Sequence, residues 1–140
     1  MKYSTYIALV LCAICSCARP LAAAELDVRL VNAPAEGTLV FQVYDGADAF
    51  SDLRDPAQEI SLPATGDGQY RLQNISDGRV ALLVFYDENA NGRIDKNFIG
   101  IPRERLAISN DYKPKGPPRF ARASFDVATG STLDIDMEMY

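Results

Sequence analysis

Residues Val80–Tyr86 read VALLVFY, an unbroken apolar run with no polar residue on either alternate face. A strand lying between core and water alternates apolar and polar side chains. A run of this length that does not alternate predicts a central strand covered on both sides. Outward from it the period is two. Leu26, Val28 and Leu30 alternate with Asp27 and Arg29. Leu39, Phe41 and Val43 alternate with Val40, Gln42 and Tyr44. Tyr70 and Leu72 alternate with Arg71 and Gln73, and Phe125 and Val127 with Ser124 and Asp126. Leu133, Ile135, Met137 and Met139 alternate with Asp134, Asp136 and Glu138. Ile60 and Leu62 form a shorter pair before Pro63. Each segment reads as a strand with one face inward.

Turn residues separate these segments: Ala35-Glu36-Gly37, Gly66-Asp67-Gly68, Ser76-Asp77-Gly78 and Thr129-Gly130-Ser131. No stretch sustains a 3.6-residue apolar period. A short helix fits within 46–58, limited by Pro56. The pattern predicts an all-β fold, an antiparallel seven-strand β-sandwich of the immunoglobulin-like or transthyretin-like kind. Phe41, Leu82, Val84, Phe125 and Ile135 are the expected core.

The chain has 140 residues and divides into two parts. Residues 1–24 have the anatomy of a secretory signal peptide. Lys2 opens the segment, Ile7–Cys17 is an uncharged 11-residue run, and Ala22-Ala23-Ala24 supplies a cleavage site. The run is too short to span a membrane. Ile14-Cys15-Ser16-Cys17 loosely resembles a lipobox, which leaves a membrane-anchored lipoprotein as the alternative. Residues 25–140 form one domain. All three cysteines (Cys12, Cys15, Cys17) precede it, so it has no disulfide and no thiol chemistry. The protein is expected to be exported, periplasmic or extracellular. There is no His, which excludes Ser-His-Asp and Cys-His catalysis and His-ligated metals. The net charge of −5 argues against general nucleic-acid binding.

One motif carries specific chemistry. Asp87-Glu88-Asn89-Ala90-Asn91-Gly92-Arg93-Ile94-Asp95 matches the first nine positions of a calcium loop. Asp87, Asn89 and Asn91 take positions one, three and five, and Gly92 the sharp turn at six. Arg93 offers its carbonyl at seven and Asp95 an oxygen at nine. Ile94 stands at eight, where an apolar side chain points inward. At position twelve, where a bidentate Glu is expected, Phe98 stands, and Asn97 or Glu104 are the substitutes. The same residues also suit a polar turn whose side chains cap backbone amides.

Asp87–Asp95, Gly100-Ile101-Pro102 with Glu104, Ser109-Asn110, and Pro117-Pro118 with Phe120 together resemble a family of small secreted bacterial proteins, domain of unknown function 2141. The resemblance covers roughly residues 26–140 and implies an exported β-sandwich with no assigned activity. The chain departs from the family pattern at Leu106-Ala107-Ile108, where a more aromatic, Gly-containing stretch is expected.

Two further features bear on function. Phe98–Phe120 holds four prolines and no clear period. Its apolar residues Phe98, Ile99, Ile101, Leu106, Ile108, Tyr112 and Phe120 predict that it packs down on the sandwich. The segment 93–122 carries eight basic residues (Arg93, Lys96, Arg103, Arg105, Lys113, Lys115, Arg119, Arg122) against three acidic ones. The rest of the domain is strongly acidic. That asymmetry suits an anionic partner such as a lipid headgroup or cell-wall polymer. It equally suits the segment lying against acidic strand faces at Asp134, Asp136 and Glu138. The sequence reads as a non-enzymatic binding or structural accessory module, with calcium as the candidate cofactor. The alternative is a small carboxylate-dependent hydrolase of an envelope polymer. Ser109 and Lys113 are four apart, a spacing that alone does not make a Ser–Lys pair.

Overall fold

A computed structural model describes residues 23–140. The leader assigned to residues 1–24 therefore lies outside the described residues, apart from Ala23 and Ala24. Ala24 opens the first strand and is buried, paired with Ile75.

The fold is all-β with two sheets. The strands are β1 (Ala24–Val31), β2 (Thr38–Tyr44), β3 (Gln58–Pro63), β4 (Gly68–Ile75), β5 (Gly78–Asp87), β6 (Leu106–Ile108), β7 (Phe125–Val127) and β8 (Thr132–Glu138). Two short helices join them, α1 (Ala47–Asp52) and α2 (Phe120–Ala123), with a 3-10 turn at Ser109–Asp111. One sheet has the order β4-β1-β8. The other runs β3-β2-β5-β6, with β7 pairing the start of β5.

The sheets face each other across a core that includes Leu26, Val28, Phe41, Leu72, Leu82 and Val84. Phe41 and Tyr70 meet across it, ring centroids 5.7 Å apart. As its sequence requires, β5 is covered on both faces. Its outer face builds a second core, in which Ala81, Leu83 and Phe85 join Val40 and Tyr44 of β2, Leu106 and Ile108 of β6, Phe50 of α1 and Ala123 of α2. Phe50 anchors that layer, edge-on to Tyr44 at 5.4 Å and to Phe120 at 6.1 Å.

Four expectations need adjustment. First, there are eight strands, because β6 lies inside the proline-rich segment, too short to show a period. Second, not every pairing is antiparallel: β1 and β8 run parallel, with Leu26 opposite Leu133 and Val28 opposite Ile135. Alternation fixes which side chains share a face and says nothing of strand direction. Third, Phe125 and Ile135 are only partly buried against the inner core. Strand β8 is a sheet edge and β7 pairs three residues at the mouth of β5, so neither is enclosed. Fourth, Gln42 and Tyr44 do not face water. Gln42 is buried because its amide donates to Glu59 Oε2 at 2.8 Å and its carbonyl accepts the Tyr44 hydroxyl at 2.7 Å. A buried polar side chain is tolerated when its hydrogen bonds are made.

Among the described residues no helix is long and apolar enough to cross a membrane.

Candidate metal loop and its surroundings

Strand β5 ends at Asp87, and the chain must reverse at once. The turn uses left-handed backbone at Ala90 (φ 56°) and Gly92 (φ 69°). Such a conformation is disfavoured for a side chain and ordinary for glycine, which explains Gly92 at the sixth position.

Asp87 is buried to 7% exposure. Its Oδ1 accepts the Asn91 N–H at 3.1 Å and its Oδ2 the Gly92 N–H at 2.8 Å. The Asn91 N–H is shared with Asn89 Oδ1 at 3.1 Å. Asn91 Oδ1 accepts the Arg93 N–H at 2.8 Å. The side-chain amides of both asparagines turn to the second carboxylate. Asn89 Nδ2 donates to Asp95 Oδ2 at 2.5 Å, and Asn91 Nδ2 to Asp95 Oδ1 at 3.1 Å. Asp87, Asn89, Asn91 and Asp95 are thus gathered in one turn, with Ile94 packed partly buried against the outer core. The side chains cap one another and the backbone, as in a polar turn. Among the described residues no group of three or more His, Cys, Asp or Glu side chains is arranged to hold a metal on those side chains alone.

Glu104, well outside the contiguous motif, closes the loop. Its side chain is buried, 8% exposed, and Oε2 accepts the Asp95 N–H at 3.2 Å. Oε1 is buried with no hydrogen-bond partner. Burial pushes its carboxyl above the ordinary range, and the charges of Asp95 and Asp87 push the same way. The Asp95 N–H and, more weakly, the Glu88 N–H pull it back. Asn97, the other substitute, is used elsewhere: its Oδ1 accepts the Ile99 and Ile101 N–H groups at 3.1 and 2.9 Å.

Beyond Asp95 the chain forms a projecting turn. Lys96 and Pro102 bridge its base, and Arg103 N–H donates to the Asp95 carbonyl at 2.8 Å. Here the expectation that 98–120 packs down holds only in part. Leu106 and Ile108 are buried, and Tyr112 and Phe120 pack on the outer core. Phe98 stands 99% exposed, Ile99 64% and Ile101 54%. Asn97 caps the turn from within, so the backbone is satisfied locally and the apolar side chains are left outside. Beside the turn runs a groove of about 860 Å³, lined by α1 residues, Ile99, Ile101, Leu106, Glu104 and the proline-rich segment.

Of the eight basic residues in 93–122, Lys113 is the one that ion-pairs with carboxylates among the described residues, Glu138 at 2.9 Å and Asp111 at 4.0 Å. Arg122 lies over the Tyr112 ring, Lys96 donates to the Asp52 carbonyl, and Arg105 donates to the Asn32 carbonyl. The internal-complementarity reading therefore accounts for Lys113 and Glu138, and not for Asp134 or Asp136.

The family model described as "Uncharacterized protein conserved in bacteria (DUF2141)" matches residues 30–135. No match was found among curated proteins or among solved structures.

Proposed function

The chain belongs to the DUF2141 family of uncharacterized bacterial proteins, and from that premise we propose that it is an exported, non-enzymatic accessory module whose 87–95 loop takes a calcium ion. The observation that carries the cation is Glu104. A carboxylate oxygen buried without a partner, beside two further carboxylates, is costly unless a counter-charge is supplied. Asp87, Asn89, Asn91, the Arg93 carbonyl, Asp95 and Glu104 offer hard oxygen donors of the type calcium uses. Glu104 would do the work of the absent position-twelve Glu. The Asn89 and Asn91 amide groups now on Asp95 would rotate away, turning their oxygens inward.

Melting temperatures in chelator and in about 10 mM calcium test this. With a dissociation constant of about 1 mM, as in extracellular modules, tenfold excess adds about 1.4 kcal/mol, or about 3–6 °C for a chain of this size. Glu104→Gln should abolish that rise. In chelator the sign reverses. An acid whose folded pKa is raised contributes stability at low pH that is lost as pH rises through the folded value. Wild type should therefore melt below Glu104→Gln at neutral pH in chelator, and the gap should close on acidification below the ordinary carboxylate range. No calcium-dependent rise in wild type would refute the site. An equal rise in the variant would place the ion elsewhere.

Export rests on the 1–24 leader. The exported protein should have an intact mass beginning at Glu25. A form starting at Cys17 with added lipid mass would make it a membrane-anchored lipoprotein, and retention of Met1 would remove the export reading.

One observation favours the hydrolase alternative: Glu104, with its raised pKa, also lines the groove. Asp52, a second groove carboxylate, is held by Arg54 at 2.8 Å. Release of soluble fragments from purified cell-wall polymer by wild type and not by Glu104→Gln would replace the accessory-module reading.

A further inference from the structure

We propose that the Asn97–Ile101 turn docks on the surface of an anionic lipid bilayer, with Phe98 and Ile99 entering the interface. The proposal rests on the exported-module reading, which sets the chain beside an envelope membrane.

The turn joins two features that are uncommon together on a free surface. Phe98, Ile99 and Ile101 form an exposed apolar tip, held out on a base bridged between Lys96 and Pro102. Beside it stand Lys96, Arg103 and Lys115, all exposed and none in an ion pair with a carboxylate among the described residues. An apolar wedge flanked by unpaired cations fits the boundary between anionic headgroups and acyl chains. A second copy of the chain fits it less well. The groove beside the tip carries Lys96 and Lys115, with Arg54 already matched by Asp52, so seating one tip in another's groove brings lysines of one copy against the cations beside the other's tip.

The cation site and the tip share their connections. Asp95 precedes the turn and Glu104 follows it, and the Arg103 N–H ties its end to the Asp95 carbonyl. An ion held by Asp95 and Glu104 would fix the base of the tip. Calcium should then tighten docking by lowering the entropy lost on binding.

The experiment is co-sedimentation of the exported protein with vesicles of phosphatidylcholine alone and of equal parts phosphatidylcholine and phosphatidylglycerol. Binding to the anionic vesicles and not the neutral ones is expected, weakening as salt is raised. Phe98→Ser should lower partitioning roughly 10- to 100-fold, while keeping the calcium-dependent rise in melting temperature. Calcium should strengthen wild-type binding severalfold and leave Glu104→Gln unaffected. Unchanged binding by Phe98→Ser, or no preference for anionic vesicles, overturns the docking proposal and leaves the cation site standing. Vesicle-free dimers that Phe98→Ser dissolves would overturn it too, making the tip a contact between copies. Loss of binding in Phe98→Ser with no calcium effect on binding or melting supports docking and removes the cation site.

Discussion

Phe50→Ala is expected to destabilise the protein as severely as Phe41→Ala, each by about 3–5 kcal/mol. The equality is the point. In a sandwich of two sheets with one core, Phe41 is central and a residue outside the second sheet is peripheral. Here both rings are fully buried, Phe41 between the sheets and Phe50 in the outer layer over β2 and β5. Phe50 also makes two edge-on aromatic contacts, with Tyr44 and Phe120. Such contacts add about 0.5–1.5 kcal/mol beyond area burial. Against a typical total of about 5–15 kcal/mol, either change should move the urea midpoint far down, and the two together should leave little folded protein. A loss below about 1 kcal/mol for Phe50→Ala would mean that α1 is a loose flap and the outer core a minor satellite.

The sequence makes one part of that architecture plain and conceals another. VALLVFY demands cover on both faces, and the structure supplies it. Part of the outer cover is legible, since α1 falls within the short helix expected at 46–58, while the rest comes in pieces too short for periodicity to register: four residues of α2 and three of β6. In β2, Gln42 made the outer face look wet, since its hydrogen bonds to Glu59 and Tyr44 come from tertiary structure. The direction of β8 was equally invisible, because alternation is the same read either way. The site follows the same rule. Asp87 to Asp95 was legible because the residues are contiguous and spaced as one turn needs. Glu104 stood beside Asn97 as an undecided substitute until folding placed one carboxylate against Asp95 and turned the other side chain into a cap. Phe98 departs from the rule that an apolar residue points inward, because Asn97 caps the turn locally and leaves that side chain outside.

Ser109→Ala is expected to cost about 2–5 kcal/mol, well beyond an ordinary Ser-to-Ala change. The hydroxyl is fully buried. It accepts the Leu82 N–H of β5 at 3.0 Å and donates to the Ala123 carbonyl of α2 at 2.7 Å. The reason lies in the chain path. Strand β6 pairs with β5 from Leu83 to Phe85, then turns away into the 3-10 segment. The ladder ends one residue before Leu82 is satisfied, and the Ser109 side chain takes the place of the missing strand. Alanine would leave a buried N–H and a buried C=O both unpaired, each costing about 1–3 kcal/mol. It would also cut the tie between β5 and α2, so the Leu82 amide should exchange faster with solvent. Chemical denaturation and amide exchange read the two effects separately, and Ser109→Thr, which keeps the hydroxyl, should restore much of the Leu82 protection. A stability change within about 0.5 kcal/mol, or unaltered exchange at Leu82, would refute this role. The geometry also bears on a Ser–Lys pair. Lys113 Nζ is held on Glu138 at 2.9 Å, while the Ser109 hydroxyl already donates its hydrogen bond to a backbone carbonyl. A nucleophile needs a base in reach and a lone pair facing a substrate. This oxygen spends its hydrogen bonds joining a strand to a helix at a buried position, so removing it should be felt as lost stability.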